Sequence, residues 1–251
     1  MKFIDINCDM GEIPEAIADG TQEALMRSLT SVNIACGGHA GDEASMRTTI
    51  QQALAAGVSV GAHPGYPDRD NFGRLELQMP LEDVSEFVYQ QVRAFAEIAE
   101  SLGARVAHVK PHGALYNQAV HNQSLASAIA MGVACWRSDV ILMGLAGSPM
   151  LDVFRESGFL FAAEAFADRK YEPNGTLRAR KYTDALIQDP AQAAAQALRI
   201  AQNASVIASD GSEVLMRAET LCIHGDTPGS VQIAAVVAAT LRQAGIELRP
   251  F

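Results

Sequence analysis

The sequence has little cysteine and little positive charge, and each shortage argues against a class of protein. Its four cysteines are far apart and form no Cys-x-x-Cys pair, which argues against a zinc knuckle and against a disulfide framework. The chain has 19 lysines and arginines against 29 aspartates and glutamates, so its formal net charge is −10. Binding to nucleic acid or to an anionic membrane would need the opposite balance. The chain is therefore predicted to bind neither.

Long apolar runs and phosphate-binding loops are also missing. The segment MKFIDINCD lacks the apolar run of a signal peptide, and the apolar stretch around residues 231–241 is too short to cross a bilayer. Neither Gly-x-x-x-x-Gly-Lys-Ser/Thr nor a strand-linked Gly-x-Gly-x-x-Gly motif occurs. We therefore expect a cytoplasmic protein with reduced thiols and without a recognisable nucleotide-binding loop of its own.

What is present is an alternation of short apolar runs with helical patterns along the whole chain. The candidate strands are residues 3–9, 31–36, 58–63, 105–110, 140–145, 159–165 and 221–224. Such alternation predicts an α/β protein in which crossover helices join parallel strands, as an open doubly wound sheet or a closed barrel. The pair Asp210-Gly211 predicts a small hairpin excursion within 205–217. No linker divides the chain, so residues 1–251 are predicted to form one domain.

Helix boundaries are visible in the pattern as well. Asp42 is predicted to cap a helix that ends at Gly57, and Pro80 to precede a helix that ends at Gly103. Three later helices are expected to begin at a capping residue followed by proline, at Ser148-Pro149, Asp189-Pro190 and Thr227-Pro228.

Side chains alternate across a strand, so sequence parity divides each strand into two faces. In the first strand Asp5, Asn7 and Asp9 share one face, and Cys8 lies on the other with its apolar neighbours. Polar residues recur on one face of the later strands, namely Asn33, Ser59, His63, His108, Lys110 and Glu164. A closed barrel can hold such groups in its interior if they have partners. The deeper ones are expected to form a structural network, and Cys8 and Cys36 to be packing residues.

Each strand is followed by a polar or glycine-rich segment. The segments are NCDMGE (7–12), NIACGGHAGD (33–42), GAHPGYPDRDNFGR (61–74), HVKPHGALYN (108–117), GLAGS (144–148), EAFADRKYEPNGTL (164–177) and HGDTPG (224–229). Loops at the carboxyl ends of parallel strands converge in space, and enzymes of this architecture place their sites there. The seven segments therefore predict an active site without specifying its reaction.

The first three segments supply carboxylates and imidazoles. Asp9 and Glu12 could activate water, although Glu12 could instead cap the following helix. Asp9, His39 and His63 match the ligand preferences of borderline metals. No His-x-x-x-His pair joins the two histidines, so a metal remains one alternative.

The later segments supply groups for anions and protons. Lys110 could hold a phosphate or carboxylate and His112 could move protons, or both could belong to an internal ion pair with Glu164 or Asp168. In the same charged cluster, Arg169 could clamp a carboxylate through two hydrogen bonds.

The last segment offers His224 and Asp226 before a predicted helix amino end, which is a natural place for an anion. The residues expected to bind substrate are Asn7, Asn117, Arg169, His224 and Asp226, and those expected to be catalytic are Asp9, Glu12, Lys110, His112, Glu164 and Asp168.

Together, six of these segments resemble the LamB/YcsF family, the A subunits of bacterial 5-oxoprolinases. They follow the family's order and spacing from residue 4 to about residue 244. The resemblance implies an irregular seven-stranded (β/α) barrel like that of the glycoside hydrolase/deacetylase group, in agreement with the strands counted above. One departure is Gly38, where many members carry a bulky residue; we expect it to widen the mouth of the pocket.

The resemblance also implies an activity. It implies an ATP-hydrolysing cyclic-amide hydrolase that opens 5-oxo-L-proline to L-glutamate, works with partner subunits B and C, and uses ATP with Mg²⁺. In related polysaccharide deacetylases an aspartate and two histidines bind a divalent metal, and the corresponding positions are Asp9, His39 and His63. Two alternatives remain open: a stand-alone metal-dependent deacetylase or amidase, and a non-catalytic subunit that binds the substrate.

Overall fold

The fold is a closed barrel of parallel strands, seen in a computed structural model that describes residues 3–251. The strands are β1 (Phe3–Met10), β2 (Ser31–Ala35), β3 (Ser59–His63), β4 (Val106–Val109), β5 (Ile141–Leu145), β6 (Leu160–Phe166), β7 (Ser205–Ile207), β8 (Glu213–Leu215), β9 (Thr220–Cys222) and β10 (Glu247–Leu248). The barrel order is β1-β2-β3-β4-β5-β6-β9, and β9 pairs with β1 to close it. The predicted seven-stranded barrel is confirmed, and every predicted strand end lies within two residues of the observed one.

Two short pieces of sheet lie outside this ring. β10 pairs in parallel with the start of β1, at Phe3 and Ile4, and was not predicted. β7 and β8 form the predicted antiparallel hairpin, with Ser205 opposite Leu215 and Gly211 in the turn at a φ of 87°. The hairpin lies between the last two barrel strands in sequence and interrupts the alternation of strand and helix there.

The helices between the strands pack against one another in succession. They are α1 (Pro14–Ala18), α2 (Thr21–Met26), α3 (Glu43–Ala56), α4 (Leu81–Ser101), α5 (Gly113–Ala119), α6 (Gln123–Trp136), α7 (Pro149–Glu156), α8 (Pro190–Asn203) and α9 (Ser230–Gln243). Helix α4 contacts α3 and α6, and α9 contacts α8 and α2. In α4, Val84, Val88 and Phe95 form a buried stripe, as the helical spacing predicts. Within residues 3–251, no helix is long and apolar enough to cross a membrane.

Most predicted helix boundaries are confirmed. The Asp42 side chain accepts a hydrogen bond from the Ser45 N–H at the start of α3, and Gly57 ends that helix at a φ of 68°. Asp189 likewise accepts from the backbone N–H groups that open α8. These bonds satisfy N–H groups that have no partner inside the helix.

The predicted start of the last helix at Thr227-Pro228 is wrong. Helix α9 begins at Ser230 and follows Gly229, whose φ is 77°. The Thr227 hydroxyl is not available as a cap, because it donates to Asp168 Oδ2 at 2.9 Å. A tertiary contact has therefore displaced the local capping signal.

The barrel interior is polar, as the parity of β1 predicts. Asp5 is fully buried and accepts hydrogen bonds from the hydroxyls of Thr30, Ser31 and Thr220. Burial raises its pKa to about 6, although the three hydroxyls oppose that rise. Cys8, of the opposite parity, is also fully buried and belongs to the hydrophobic core.

Candidate active site

A cavity of about 440 Å³ opens at the carboxyl end of the barrel. The predicted site residues that line it are Asp9, Glu12, His63, Lys110, His112, Asn117, Arg169, His224 and Asp226. The segments that follow five of the seven barrel strands therefore converge, as expected from their shared position in the architecture. The other predicted residues do not line the cavity and are buried; they are Asn7, His39, Glu164 and Asp168.

Lys110 provides a buried cation in the cavity wall. Its Nζ lies 2.9 Å from Asp9 Oδ1 and 2.8 Å from Glu164 Oε1. Burial opposes the charged form, but the attraction of Asp9 and of other anionic groups including Glu164 outweighs it and raises the Lys110 pKa well above its usual value. The internal ion pair with Glu164 is thus present, and Glu164 acts through Lys110 rather than facing the cavity.

Asn33 holds Asp9 and is itself positioned by Asn7 and His108. The Asn33 amide donates to Asp9 Oδ1 and to Asn7 Oδ1, each at 2.8 Å. The Asn33 oxygen lies 2.8 Å from His108 Nε2. Burial lowers the His108 pKa to about 3, so the ring is neutral and its Nε2–H donates.

Asn7, which was predicted to bind substrate, takes part in this network instead. It is fully buried, and its amide donates to Glu164 Oε1 at 3.0 Å and to Thr220 Oγ1 at 2.7 Å. Its polar atoms are therefore used within the barrel interior, by Glu164, Thr220 and Asn33.

A cluster of imidazoles forms a second part of the wall. His63 Nε2 lies 2.9 Å from His112 Nδ1, and Glu12 Oε1 lies 3.1 Å from His112 Nδ1. His39 stacks on His112 with ring centroids 3.6 Å apart, and its Nε2 lies 2.8 Å from Glu12 Oε1. Burial lowers the His39 pKa to about 4. Burial acts in the same direction on His63, but the Asp9 carboxylate outweighs it and raises the His63 pKa.

The backbone of the loop after β3 makes room for this stack. A Cβ atom at Gly65 would lie 2.5 Å from His39 Nδ1, and one at Gly73 would lie 2.6 Å from His39 Cβ. Between them, Phe72 has a φ of 56°, which is uncommon for a residue other than glycine, and its carbonyl lies 2.9 Å from His112 Nε2. Strained backbone of this kind tends to occur at functional sites.

The structure brings together a different set of possible metal ligands from the predicted one. The ligand atoms of Glu12, His39, His63 and His112 all lie within 4.8 Å of one another. Asp9 stands next to this group, with Oδ2 3.3 Å from His63 Nε2, but its Oδ1 is occupied by Lys110 and Asn33. The carboxylate in this set of possible ligands is therefore Glu12, whereas the sequence analysis expected Asp9.

On the other side of the cavity, Asp168 orients His224. Asp168 Oδ1 lies 2.9 Å from His224 Nδ1, and Asp168 Oδ2 accepts from the His224 N–H. The carboxyl of Asp168 is buried, yet His224 and the hydrogen bonds keep its pKa below the usual value. The Phe166 ring stacks on His224 at 5.3 Å. Since Nδ1 is engaged, Nε2 is the ring nitrogen left for a ligand.

Arg169 lines the same side and has spare hydrogen-bonding capacity. Its Nη2 donates to the Arg178 carbonyl at 2.7 Å, while its buried Nε has no partner within the described part of the chain. Burial and the neighbouring Arg180 lower its pKa to about 10. An acidic group of a ligand would supply the missing acceptor.

Two arginines in the cavity wall were missed by the sequence analysis. Arg74 and Arg180 both contact Asp226 Oδ2, at 2.5 and 3.1 Å, so Asp226 is partly neutralised before any ligand arrives. Arg74 ends a polar segment that was recognised, but it was not singled out there. Arg180 lies in a loop after β6 that carries no local signal of function.

Gly38, by contrast, does not widen the cavity as expected. It does not line the cavity, and a Cβ there would lie 2.6 Å from the Gly65 carbonyl and 2.4 Å from Gln91 Oε1. The absent side chain allows the loops after β2 and β3 to pack closely instead.

Comparisons with known proteins agree with this architecture. The model of the LamB/YcsF family matches residues 4–251. The chain is 47% identical over 249 residues to the A subunit of the 5-oxoprolinase of Chloroflexus aggregans, covering 99% of each chain. Its fold superimposes with a TM-score of 0.92 on the lactam utilization protein of Thermus thermophilus, which is 38% identical, over 99% of this chain and 100% of that one.

A more distant likeness concerns the fold alone. The family 4 carbohydrate esterase of Streptomyces lividans, solved with acetate, is 11% identical and has a TM-score of 0.52, over 98% of this chain and 91% of that one. The predicted likeness of the barrel to the deacetylase fold is confirmed.

Proposed function

The chain belongs to the LamB/YcsF family, and from this membership we propose that it is the A subunit of a 5-oxoprolinase, which opens the lactam of 5-oxo-L-proline to give L-glutamate. The observation that carries the proposal is the similarity to the A subunit of a known 5-oxoprolinase along 99% of both chains. A match of this extent includes the segments around the cavity, and not only those that build the barrel.

We further propose that ring opening uses ATP with Mg²⁺ and takes place in a complex with subunits B and C. A five-membered lactam is a stabilised amide, and transfer of a phosphoryl group from ATP to its oxygen would make the carbonyl carbon more electrophilic. The chain has no recognisable nucleotide-binding loop. We therefore assign the supply of the phosphoryl group to the assembled complex rather than to this chain by itself.

The cavity offers groups that can bind the substrate carboxylate and the phosphoryl group. In the proposed reaction Arg169 binds the carboxylate of the substrate through its unused N–H groups. Arg74 and Arg180, two cations that share the single carboxylate of Asp226, favour an anionic, phosphorylated ligand.

Proton transfers are assigned to Asp9 and to His224 with its partner Asp168. Water adds to the ring carbonyl carbon and its proton passes to Asp9 Oδ2, which is bound by neither Lys110 nor Asn33 and lies 3.3 Å from His63 Nε2. As the carbon–nitrogen bond breaks, the ring nitrogen takes a proton from His224, which Asp168 orients. A second water then hydrolyses the resulting acyl phosphate, giving glutamate and phosphate.

A metal ion is compatible with the residues present. Glu12, His63 and His112 would hold it, and when bound it would supply Lewis-acid polarisation of a bound oxygen. The proposed roles of Asp9, Arg169 and His224 do not depend on a metal ion.

The test is ATP-dependent release of glutamate from 5-oxo-L-proline, measured with the purified chain alone and then with subunits B and C. We expect negligible turnover by the chain alone and robust turnover by the mixture. If the mixture also fails while the chain binds its partners, the proposal is wrong. ATP-independent hydrolysis of an acetamido sugar by the chain alone would instead support the stand-alone deacetylase that the fold allows.

A further inference from the structure

We propose that His63, His112 and Glu12 form a binding site for a divalent transition-metal ion such as Zn²⁺, and that His39 positions Glu12 within it. The site lies in the wall of the cavity described above. The proposal rests on the arrangement of ligand atoms, however, and goes beyond the ring-opening reaction, so that either can fail without the other.

The first observation concerns the protonation of the two facing imidazoles. His63 Nδ1 lies 2.7 Å from the Lys110 carbonyl, and His112 Nε2 lies 2.9 Å from the Phe72 carbonyl. A carbonyl oxygen only accepts, so each of these ring nitrogens carries a hydrogen. In the neutral rings the lone pairs are then on His63 Nε2 and His112 Nδ1, which point at each other across 2.9 Å.

Two lone pairs at that distance repel unless a positive charge lies between them. A proton shared by the two rings would satisfy this one contact. Glu12 Oε1, which lies 2.8 Å from His39 Nε2, also converges on the same point, 3.1 Å from His112 Nδ1 and 3.7 Å from His63 Nε2. A metal ion accounts for all three donors at once.

The distances fit such an ion. Ligand atoms 2.0–2.1 Å from a tetrahedral Zn²⁺ are about 3.3 Å apart. The three distances among His63 Nε2, His112 Nδ1 and Glu12 Oε1 are 2.9, 3.1 and 3.7 Å and lie on both sides of that value. Two imidazoles and one carboxylate form a ligand set that borderline metals prefer, and three protein ligands leave a position for water or substrate. The two hydrogen bonds to carbonyls are the outer contacts that usually fix metal-binding histidines.

His39 is assigned a positioning role because of its own partners. Its Nε2 lies 2.8 Å from Glu12 Oε1, and its Nδ1 is buried without a hydrogen-bond partner in the described chain. If His39 Nε2 bound the metal, the ring hydrogen would be on Nδ1, where it would be buried without an acceptor. If Nε2–H instead donates to Glu12, Nδ1 buries only a lone pair, which costs less. The stack on His112 holds the ring in that position.

The test is metal binding by the full chain after removal of metal with a chelator and dialysis. Zn²⁺ content is measured by mass spectrometry, and Co²⁺ titration is followed by its visible absorption, which reports nitrogen and oxygen ligands directly. We expect one equivalent of metal per chain and a higher Tm in its presence, because an ion that binds only the native state stabilises it.

The variants separate ligands from the positioning residue. His63→Gln and His112→Gln should each lower the affinity for Zn²⁺ by more than a hundredfold and abolish the Co²⁺ spectrum. His39→Gln should retain an altered spectrum with about 10- to 100-fold weaker binding. His121→Gln, at an exposed histidine outside the cluster, is the matched control and should bind like the parent. Circular dichroism establishes that each variant is folded before it is titrated.

Two results would overturn the proposal. One is a folded, metal-free parent chain that shows no saturable binding of Zn²⁺ or Co²⁺ up to millimolar metal, which would leave the shared proton as the explanation. The other is undiminished binding by the folded His63→Gln/His112→Gln double variant. Glutamate release by the complex with subunits B and C is scored separately, since its failure bears on the proposed function and not on the metal site.

Discussion

The ammonium group of Lys110 lies 2.9 Å from the carboxylate of Asp9, so the cavity contains a buried ion pair rather than two independent groups. Glu164 completes the arrangement as a second partner of the ammonium, at 2.8 Å. One cation thus contacts two carboxylates, of which only Asp9 lines the cavity. This arrangement keeps Lys110 charged, which makes it unsuitable as a base.

The first prediction concerns Asp9 as the general base. Asp9→Asn preserves the size of the side chain and keeps an oxygen that can accept from Asn33 and Lys110, so the Tm and partner binding should remain close to those of the parent. Turnover of the assembled complex at saturating 5-oxo-L-proline and ATP should fall at least about a hundredfold, the scale of a lost general base. Asp152→Asn, at an exposed aspartate of α7, is the control. A decrease of only a few-fold would mean that Asp9 is structural.

The second prediction concerns the buried ion pairs of Lys110. Lys110→Met leaves Asp9 and Glu164 without their cation and should lower the free energy of unfolding by about 3–5 kcal/mol, measured by urea titration. Adding Glu164→Gln to this variant removes one unpaired charge and should restore part of the loss. If the double variant is no more stable than Lys110→Met, the two residues are not energetically coupled.

The third prediction concerns recognition of the substrate carboxylate. Arg169→Gln removes the guanidinium and should raise KM for 5-oxo-L-proline about 10- to 100-fold, because a hydrogen bond to a charged group contributes about 1.5–3 kcal/mol. The effect on kcat should be much smaller if the contact is the same in the ground and transition states. Arg93→Gln, on the exposed face of α4, provides the comparison. An unchanged KM with a reduced kcat would contradict a binding role.

The fourth prediction concerns Asp5 and the pH dependence of stability. Its pKa is about 6 in the folded chain and close to 3.9 in the unfolded one, so the folded state retains a proton that the unfolded state has lost. Stability from this residue is therefore present below about pH 4 and is lost as the pH rises through about 6. The difference amounts to roughly 3 kcal/mol.

The comparison is between the parent and Asp5→Asn, whose side chain does not ionise. Between about pH 4 and pH 6 the free energy of unfolding of the parent should decrease relative to that of the variant. Asp139→Asn, at an exposed aspartate, should follow the parent curve. Parallel curves for the parent and Asp5→Asn would mean that Asp5 has an ordinary pKa in the fold.

The sequence by itself determined the alternation of parallel strands with helices and the end of the strands that carries the site, whereas the choice of a closed barrel over an open sheet came from the family resemblance. Strand length, apolar content and parity are local properties, so Asp5, Asn7 and Asp9 could be assigned to one face of β1 before any partner was known. The polar segments after the strands indicated where the cavity would open, because the loops that follow parallel strands meet at one end of the sheet.

Only the tertiary structure decided which of these residues touch. Glu12, His39, His63 and His112 are separated by 24 or more residues along the chain, and no spacing rule relates them. Their convergence depends on how far each loop reaches after its strand, and on the close packing that Gly65 and Gly73 permit. Thr227 is a case in which a local signal gave a wrong prediction. Its sequence context predicts a helix cap, but its hydroxyl donates to Asp168, 59 residues away along the chain. Contact energies depend on distances in space, and a one-dimensional pattern records only distances along the chain.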